Sequence, residues 1–405
     1  MLIEHLAHQL REREAAALQR RRRTVESACA PHQRVTGVDG VTREMLAFCS
    51  NDYLGLANHP AVIDALVEGA RAWGAGSGAS HLISGHSRAH ATLEAALAAH
   101  LAPCIPGAEG LMFCTGYMAN LALLTTLTDA RTTIFADKLN HASLVDGAQL
   151  GPATMRRYPH GRMDLLAAQL ATCTTPLKLI VTDAVFSMDG DLAPLPELLK
   201  LAERHDAWLV VDDAHGFGVL GDQGRGTLSH FGLSSERFIY MGTLGKAAGV
   251  GGAFVAAHPT VIEALVQGAR SYIYTTASPP ALAYALLASL QLIAGEEGVR
   301  RRCHLGELIA ALRAGLTHLI ERHPDLGWRL ADSATAIQPL IVGDNAAALA
   351  LSAALDTRGL WVPAIRPPTV PANTARLRIT LSAAHSMDDV ARLCAALEEF
   401  AEQAT

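Results

Sequence analysis

A lysine set among small residues is the first candidate for chemistry. Lys246 stands in Gly242-Thr243-Leu244-Gly245-Lys246-Ala247-Ala248-Gly249-Val250-Gly251-Gly252, directly after the apolar run Phe238-Ile239-Tyr240-Met241. A short buried strand ending there leaves the ammonium an open approach and little that could hold it in an ion pair, which suits an amine that forms a Schiff base. The chain has only four lysines, and the other three suit other tasks. Lys178 precedes an apolar strand, and Lys200 lies on the polar side of a helical pattern. Lys138, although close to Asp137 and His141, lacks a glycine-lined approach.

Four further segments carry groups that would complement such an amine. Trp208-Leu209-Val210-Val211 reads as a strand that delivers Asp212-Asp213-Ala214-His215 to the carboxyl edge of a sheet. A carboxylate there can pair with a protonated pyridine nitrogen, the state in which pyridoxal phosphate (PLP) stores the charge of a carbanion. The rival is a metal-dependent hydrolase built on Asp212, Asp213 and His215, for which the sequence offers no second cluster to complete the coordination shell. His141, in Asn140-His141-Ala142-Ser143, follows another strand, and its imidazole can stack on a flat conjugated ring. Gly116, in Thr115-Gly116-Tyr117-Met118-Ala119-Asn120, joins a strand to a helix whose first N–H groups suit a phosphate. Ser187, in Val185-Phe186-Ser187-Met188-Asp189-Gly190-Asp191, can donate to a phenolic oxygen, while Asp189 and Asp191 shape the turn.

These segments need a scaffold that brings strand ends together. From Leu93 onward, apolar strands alternate with amphipathic helices: strands at Leu111–Cys114, Thr133–Ala136, Leu179–Thr182, Trp208–Val211 and Phe238–Met241, helices between them. That order predicts an α/β fold, a mostly parallel sheet covered by helices on both faces, with ligands at the carboxyl ends of the strands. Before it, the sequence predicts an amphipathic helix followed by a loop over the first forty residues, a helix over Pro60–Trp73, and a glycine-dense bend at Gly74-Ala75-Gly76-Ser77-Gly78. Long helical stretches at Ala281–Ala294 and Val299–Arg322, then shorter elements to a final helix from Asp388, predict a smaller C-terminal α/β domain. The expected division is an N-terminal helical arm (1–45), a large domain (46–290) and a small domain (291–405).

Composition narrows the function. The chain has 405 residues, half of them hydrophobic, which is enough for a large core. Its net charge of −6 gives no basic field for nucleic acid, and the run Arg20-Arg21-Arg22-Arg23 is local. Seven scattered cysteines without a C-x-x-C pair indicate neither a disulfide framework nor a zinc site, and fit a reducing cytoplasm. The N-terminus lacks the unbroken apolar core of a signal peptide, and no stretch approaches the roughly 20 apolar residues of a membrane span.

Taken in order, Gly-Tyr-Met-Ala-Asn (116–120), Asn-His-Ala-Ser (140–143), Phe-Ser-Met-Asp-Gly-Asp (186–191), Asp-Asp-Ala-His-Gly (212–216) and Thr-Leu-Gly-Lys (243–246) resemble the α-oxoamine synthases. These are fold-type-I PLP enzymes that join an amino acid to an acyl thioester with loss of carbon dioxide, and the resemblance runs from Asn51 to about His385. Within the family, Arg366-Pro367-Pro368-Thr369-Val370-Pro371 looks like the members that use L-alanine and a pimeloyl thioester, on coenzyme A or acyl carrier protein, in biotin synthesis. Glycine-using sister enzymes are the nearest alternative.

The resemblance implies a role for each matching position. Lys246 would bind the PLP aldehyde and act as base, Asp212 would pair with the ring nitrogen, and His141 would stack on the ring. Ser187 and His215 would bond its phenolic oxygen, and Gly116, Tyr117 and Thr243 would anchor its phosphate. Thr275 or Thr276 would reach the phosphate of a neighbouring subunit, making the active unit a homodimer. Arg366 would clamp the amino-acid carboxylate, Thr369 and Asn51 would line the substrate site, and Arg21 would meet the acyl chain.

Overall fold

The computed structural model describes residues 1–15 and 18–404. Its centre is a seven-stranded sheet in the order Glu109–Phe113, Ala253–Ala257, Phe238–Thr243, Trp208–Asp212, Leu177–Asp183, Thr132–Asp137 and Thr154–Tyr158. All run parallel except Ala253–Ala257, which is antiparallel to both neighbours. The inner strands Trp208–Asp212, Phe238–Thr243 and Ala253–Ala257 are largely apolar because both faces are covered. Side chains alternate between two cores: Leu209, Val211, Phe238, Tyr240 and Phe254 enter one, while Val210, Ile239, Met241 and Val255 enter the other.

Helices cover the sheet with their apolar sides. In Leu195–Arg204, Leu195, Leu198, Leu199, Leu201 and Ala202 are buried, and Lys200 points to solvent. The helix Pro280–Ala294 lies against Pro60–Trp73 at a distance that only glycine permits at position 69, since a Cβ there would sit 2.9 Å from the Ala281 Cα. Glu296–Arg322 then leads to an antiparallel sheet of Arg329–Leu330, Ile337–Gly343, Ala375–Thr380 and Ala364–Ile365, packed under Asn345–Thr357 and Met387–Ala404.

The region after the first helix differs from expectation. Leu2–Ala15 is helical, but Thr24–Val25 and His32–Thr36 form strands where a loop was expected, and a third strand, Thr42–Ala47, follows them. They pair with one another and, through Leu46 and Ala47, with Leu360–Trp361. Only Gln33 and Val35 of His32–Thr36 are buried, so its apolar signal is one residue strong, and the sheet it joins is closed by a strand, Leu360–Trp361, that pairs with Thr42–Ala47 from more than three hundred residues away. Three other elements escape the sequence pattern: the helix Ala142–Leu150, the arginine-bearing edge strand Thr154–Tyr158, and the alanine-rich strand Ala253–Ala257, whose composition reads as helix. Among the described residues, no helix is long and apolar enough to cross a membrane.

Candidate active site

The carboxyl ends of the parallel strands hold most of the residues singled out above. Trp208–Asp212 ends on Asp212, and the neighbouring strand Leu177–Asp183 ends on Asp183, directly opposite in register. Both carboxylates are buried. Asp212 Oδ2 accepts from Asn120 Nδ2 at 2.7 Å, and its Oδ1 accepts from the Ala214 N–H at 3.1 Å. Asp183 Oδ2 accepts from the His141 N–H at 2.7 Å. Burial, and then the charge of Asp212, push the Asp183 carboxyl well above its ordinary range.

The helix Gly116–Thr126 positions Asn120 one turn from its start, capped by Thr115, whose hydroxyl accepts from the Met118 N–H at 3.2 Å. The side chain of Asn120 also donates to Ser143 Oγ at 2.9 Å, and Ser143 Oγ lies 2.7 Å from His141 Nδ1. His141 caps the helix Ala142–Leu150 and is itself exposed, so a ring face is open. A Cβ on Gly116 would come within 2.8 Å of Thr243 Cγ2, so glycine is what lets this helix terminus and the Phe238–Thr243 strand end meet. Tyr117 is exposed beside them, its hydroxyl donating to Asp146.

Lys246 follows in the turn after that strand. Gly249, with φ of 71°, closes the turn against Leu56 and Ala57, where any Cβ would stand 2.4 Å from the Ala57 nitrogen. Lys246 Nζ lies 3.0 Å from His215 Nε2. Burial lowers the amine to about 8, against the opposing pull of Asp212 and Asp183. Burial, then the charges of Lys246 and Arg378, hold His215 well below the ordinary imidazole range. A neutral His215 that accepts at Nε2 must donate from Nδ1, which faces the Tyr53 hydroxyl at 2.5 Å. Tyr53 in turn donates to Asn51 Oδ1 at 3.1 Å, which also receives two longer contacts of 3.4 Å from Arg378. A directed chain thus runs from Lys246 through His215 and Tyr53 to Asn51.

The donor set fits PLP. The buried Asp212 carboxylate offers a pyridinium an ion-pair partner, and Asn120 Oδ1 is buried without a partner beside it. The Gly116 terminus offers N–H groups to a phosphate, and Lys246 offers an amine to an aldehyde. The metal alternative lacks geometry. Asp213 Oδ2 turns away to accept from the Thr227 N–H at 2.7 Å and the Tyr240 hydroxyl at 2.9 Å, while His215 turns to Lys246 and Tyr53.

The remaining expected residues lie at the border with the C-terminal sheet. Ser187 offers its carbonyl to Arg378 Nε at 2.6 Å, and Arg376 bonds the Met188 carbonyl and Asp189 Oδ1 at 3.0 and 2.6 Å. Ile365 pairs with Arg376, which brings Arg366 to this border. Arg366 and Thr369 line a cavity of about 630 Å³ with Arg13, Leu18 and Arg20. Arg21, expected there, instead bonds Gln19 Oε1 at 3.0 Å and faces Glu14 at 3.5 Å, so it is Arg20 that lines the cavity. Thr275 and Thr276 lie in the loop before Pro280, where the Thr276 carbonyl is 3.6 Å from Cys114 Sγ, next to the Gly116 turn.

Asn120, Ser143, Tyr53, Asp183 and Arg378 were given no role by the sequence reasoning. A signal existed for three: Asn120 is four residues after Gly116, Ser143 is two after His141, and Asp183 ends an apolar strand as Asp212 does.

Comparisons with known proteins agree with this geometry. The family model for aminotransferase class I and II matches residues 43–397. The 8-amino-7-oxononanoate synthase of Leptothrix cholodnii is 73% identical over 407 residues, covering 100% of each chain. A serine palmitoyltransferase from S. paucimobilis, solved with bound PLP-myriocin, superposes with a TM-score of 0.88 at 28% identity, over 99% of this chain and 97% of that one. An 8-amino-7-oxononanoate synthase from Francisella tularensis gives 0.74 at 29% identity, over 89% of this chain and 98% of that one. The chain therefore belongs to the aminotransferase class I and II family and, within it, to the PLP-dependent 8-amino-7-oxononanoate synthases.

Proposed function

We propose that this chain joins L-alanine to a pimeloyl thioester, releasing carbon dioxide and the free thiol and forming 8-amino-7-oxononanoate. The observation that carries the reading is the half-buried Lys246 amine, 3.0 Å from a neutral His215, on the sheet edge where Asp212 lies buried. Lys246 would hold the cofactor, Asp212 would face its ring nitrogen, and His141 would cover its ring. Ser187 and His215 would bond its phenolic oxygen, with Gly116, Tyr117 and Thr243 at its phosphate. Bound there, PLP supplies an electron sink for negative charge at the amino acid's α-carbon.

The chain's own residues do the rest. Lys246, lowered to about 8 by burial, takes the α-proton near neutral pH and can return it later. His215 keeps that amine aimed, because Tyr53 and Asn51 fix its tautomer from behind. Arg366 meets the alanine carboxylate, for which a guanidinium fork is well matched. Arg13 and Arg20, on the same cavity as Thr369, offer positive charge to the far carboxylate of the acyl chain.

A second copy would complete the site. Leu82, Ile83 and Tyr274 are 47%, 80% and 73% exposed, and the short helix Arg270–Ile273 that precedes Tyr274 packs on the turn His81–Gly85. Covering this apolar surface with a partner would place Thr275 and Thr276 at the interface, within reach of the other subunit's phosphate. Coenzyme A and acyl carrier protein are the two carriers to compare, and the cytoplasm is the expected compartment.

The test is a matrix of alanine, glycine and serine against pimeloyl, acetyl and succinyl thioesters, with products identified by mass. The highest kcat/KM should belong to alanine with pimeloyl thioester. A preference for glycine with acetyl or succinyl thioester would overturn the assignment in favour of a sister activity.

A further inference from the structure

Away from Lys246, three histidines face one another. His81 opens the turn His81–Gly85, His86 follows it, and His90 lies in the first turn of the helix Arg88–Leu101. Their ring centres are 5.4 Å apart for 81 and 86, 5.2 Å for 81 and 90, and 5.7 Å for 86 and 90. One nitrogen from each ring lies within 4.8 Å of the other two, and Nδ1 of His81 approaches Nδ1 of His86 to 3.1 Å. Three imidazoles bound tetrahedrally at about 2.0–2.1 Å from one ion would have nitrogens about 3.3 Å apart and ring centres about 5 Å apart. Hydrogen bonds account for the rings separately, His81 with His86 and His90 with Ser87 and Ser278, but not for the gathering of a nitrogen from all three within 4.8 Å.

The surroundings are those of oriented ligands. His90 Nε2 donates to the Ser278 carbonyl at 2.8 Å, which leaves its Nδ1 with the lone pair. That lone pair now faces the Ser87 N–H at 3.1 Å and the Ser87 hydroxyl at 3.0 Å, groups at a helix start that water would have to satisfy once a cation displaces them. His86 Nε2 faces Glu94 Oε2 at 3.6 Å, and the His81 ring stacks on Tyr272 at 4.8 Å and 11°. A carbonyl or carboxylate on the far nitrogen is the usual support for a metal-binding imidazole. His81 and His90 are buried while His86 is exposed, so an ion has a way in.

We propose that His81, His86 and His90 bind a divalent transition ion, with Zn2+ the best match to three imidazoles and a fourth position open to water. The ion would tie the turn, the helix and the Ser278 loop together, two residues beyond Thr276.

The test uses untagged holoenzyme, stripped with a chelator, dialysed and titrated with Zn2+ against a chromophoric competitor. One equivalent per chain is expected, and Co2+ should give d–d absorption at longer wavelength than the cofactor's bands. His81→Gln and His86→Gln should each weaken binding at least about tenfold, while His230→Gln, on the surface elsewhere, should not. Because His86 is exposed, an unchanged metal-free circular dichroism spectrum of His86→Gln will separate loss of the site from loss of the fold. Absence of a stoichiometric site, or unweakened binding in both His81→Gln and His86→Gln, would overturn the proposal.

Discussion

Replacing Asp212 with asparagine tests whether the paired carboxylates are there to hold a cationic ring. Asp183 and Asp212 are opposite one another on adjacent parallel strands, so both point to one face. At the spacing of neighbouring strands, about 5 Å, and an effective dielectric of about 20, two unit charges repel by about 3 kcal/mol. Burial first, and then this repulsion, hold the Asp183 carboxyl high, and part of the repulsion is relieved when it takes up a proton. Asparagine keeps the shape and removes the charge, but its NH2 must face either Asn120 Nδ2 or the Ala214 N–H, both of which donate to Asp212, at a cost of about 1–3 kcal/mol. The relieved repulsion and the lost acceptor oppose one another, so the Asp212→Asn apoenzyme should lie within about 3 kcal/mol of the parent apoenzyme. With cofactor the balance tips to a loss, because a pyridinium at about 4 Å from a neutral amide forgoes about 4 kcal/mol of attraction, roughly a thousandfold in affinity or rate. Thermal midpoints with and without PLP, together with turnover, measure both effects. The cofactor-induced rise in midpoint should shrink sharply and turnover should fall by roughly three orders of magnitude. An apoenzyme destabilised by well over about 3 kcal/mol, or a turnover loss under about tenfold with the cofactor still fully stabilising, would refute the reasoning.

Other perturbations follow from the same contacts. Tyr53→Phe strands the buried Nδ1–H of His215, at a cost of about 1–3 kcal/mol in unfolding free energy, and frees the tautomer, so kcat should fall by at least about tenfold with KM little changed; an unaltered kcat would remove His215 orientation from the mechanism. Lys246→Ala should abolish multiple turnovers yet leave the circular dichroism spectrum intact, and unimpaired turnover would remove the central assignment. His160 lies 3.1 Å from Asp137 and 2.8 Å from Asp191; burial lowers its basicity, but the two carboxylates prevail and raise it from 6.5 to about 10. Its contribution to stability is full below about 6.5 and is lost as pH rises toward 10, so His160→Gln should flatten the decline in unfolding free energy over that window. Lys246 acts in the opposite sense in the apoenzyme, since lowering from 10.5 to about 8 makes stability rise with pH between those values, and that rise should become visible in His160→Gln.

The parts of this molecule that a reader of the sequence can see are those where one strong local pattern decides. Trp208–Asp212 is apolar until its last residue and Leu177–Asp183 has the apolar centre Leu179-Ile180-Val181 because helices cover both faces, and the carboxylate that ends each strand is thereby marked as a site residue. The strand His32–Thr36 carries no comparable mark, since half of it faces solvent and its sheet closes through Leu360. The same limit applies inside the site. Lys246, His141 and Asp212 are each legible as the end of one element, but His141 is joined to Asp212 by Ser143 and Asn120, and Lys246 to Asn51 by His215 and Tyr53. Those links depend on distances between strand ends, which no spacing along the chain encodes. Arg20 and Arg21 show how fine the difference is: adjacent residues of identical charge, of which one lines the cavity beside Arg366 and the other is drawn off by Glu14 and Gln19. Local pattern thus selects which residue types arrive at the sheet edge, and contacts between distant segments set the ionisation and direction that let them act together. For that reason substitutions at Tyr53 or Asn120, neither of which is expected to bond the cofactor, are the sharper probes of how this site works.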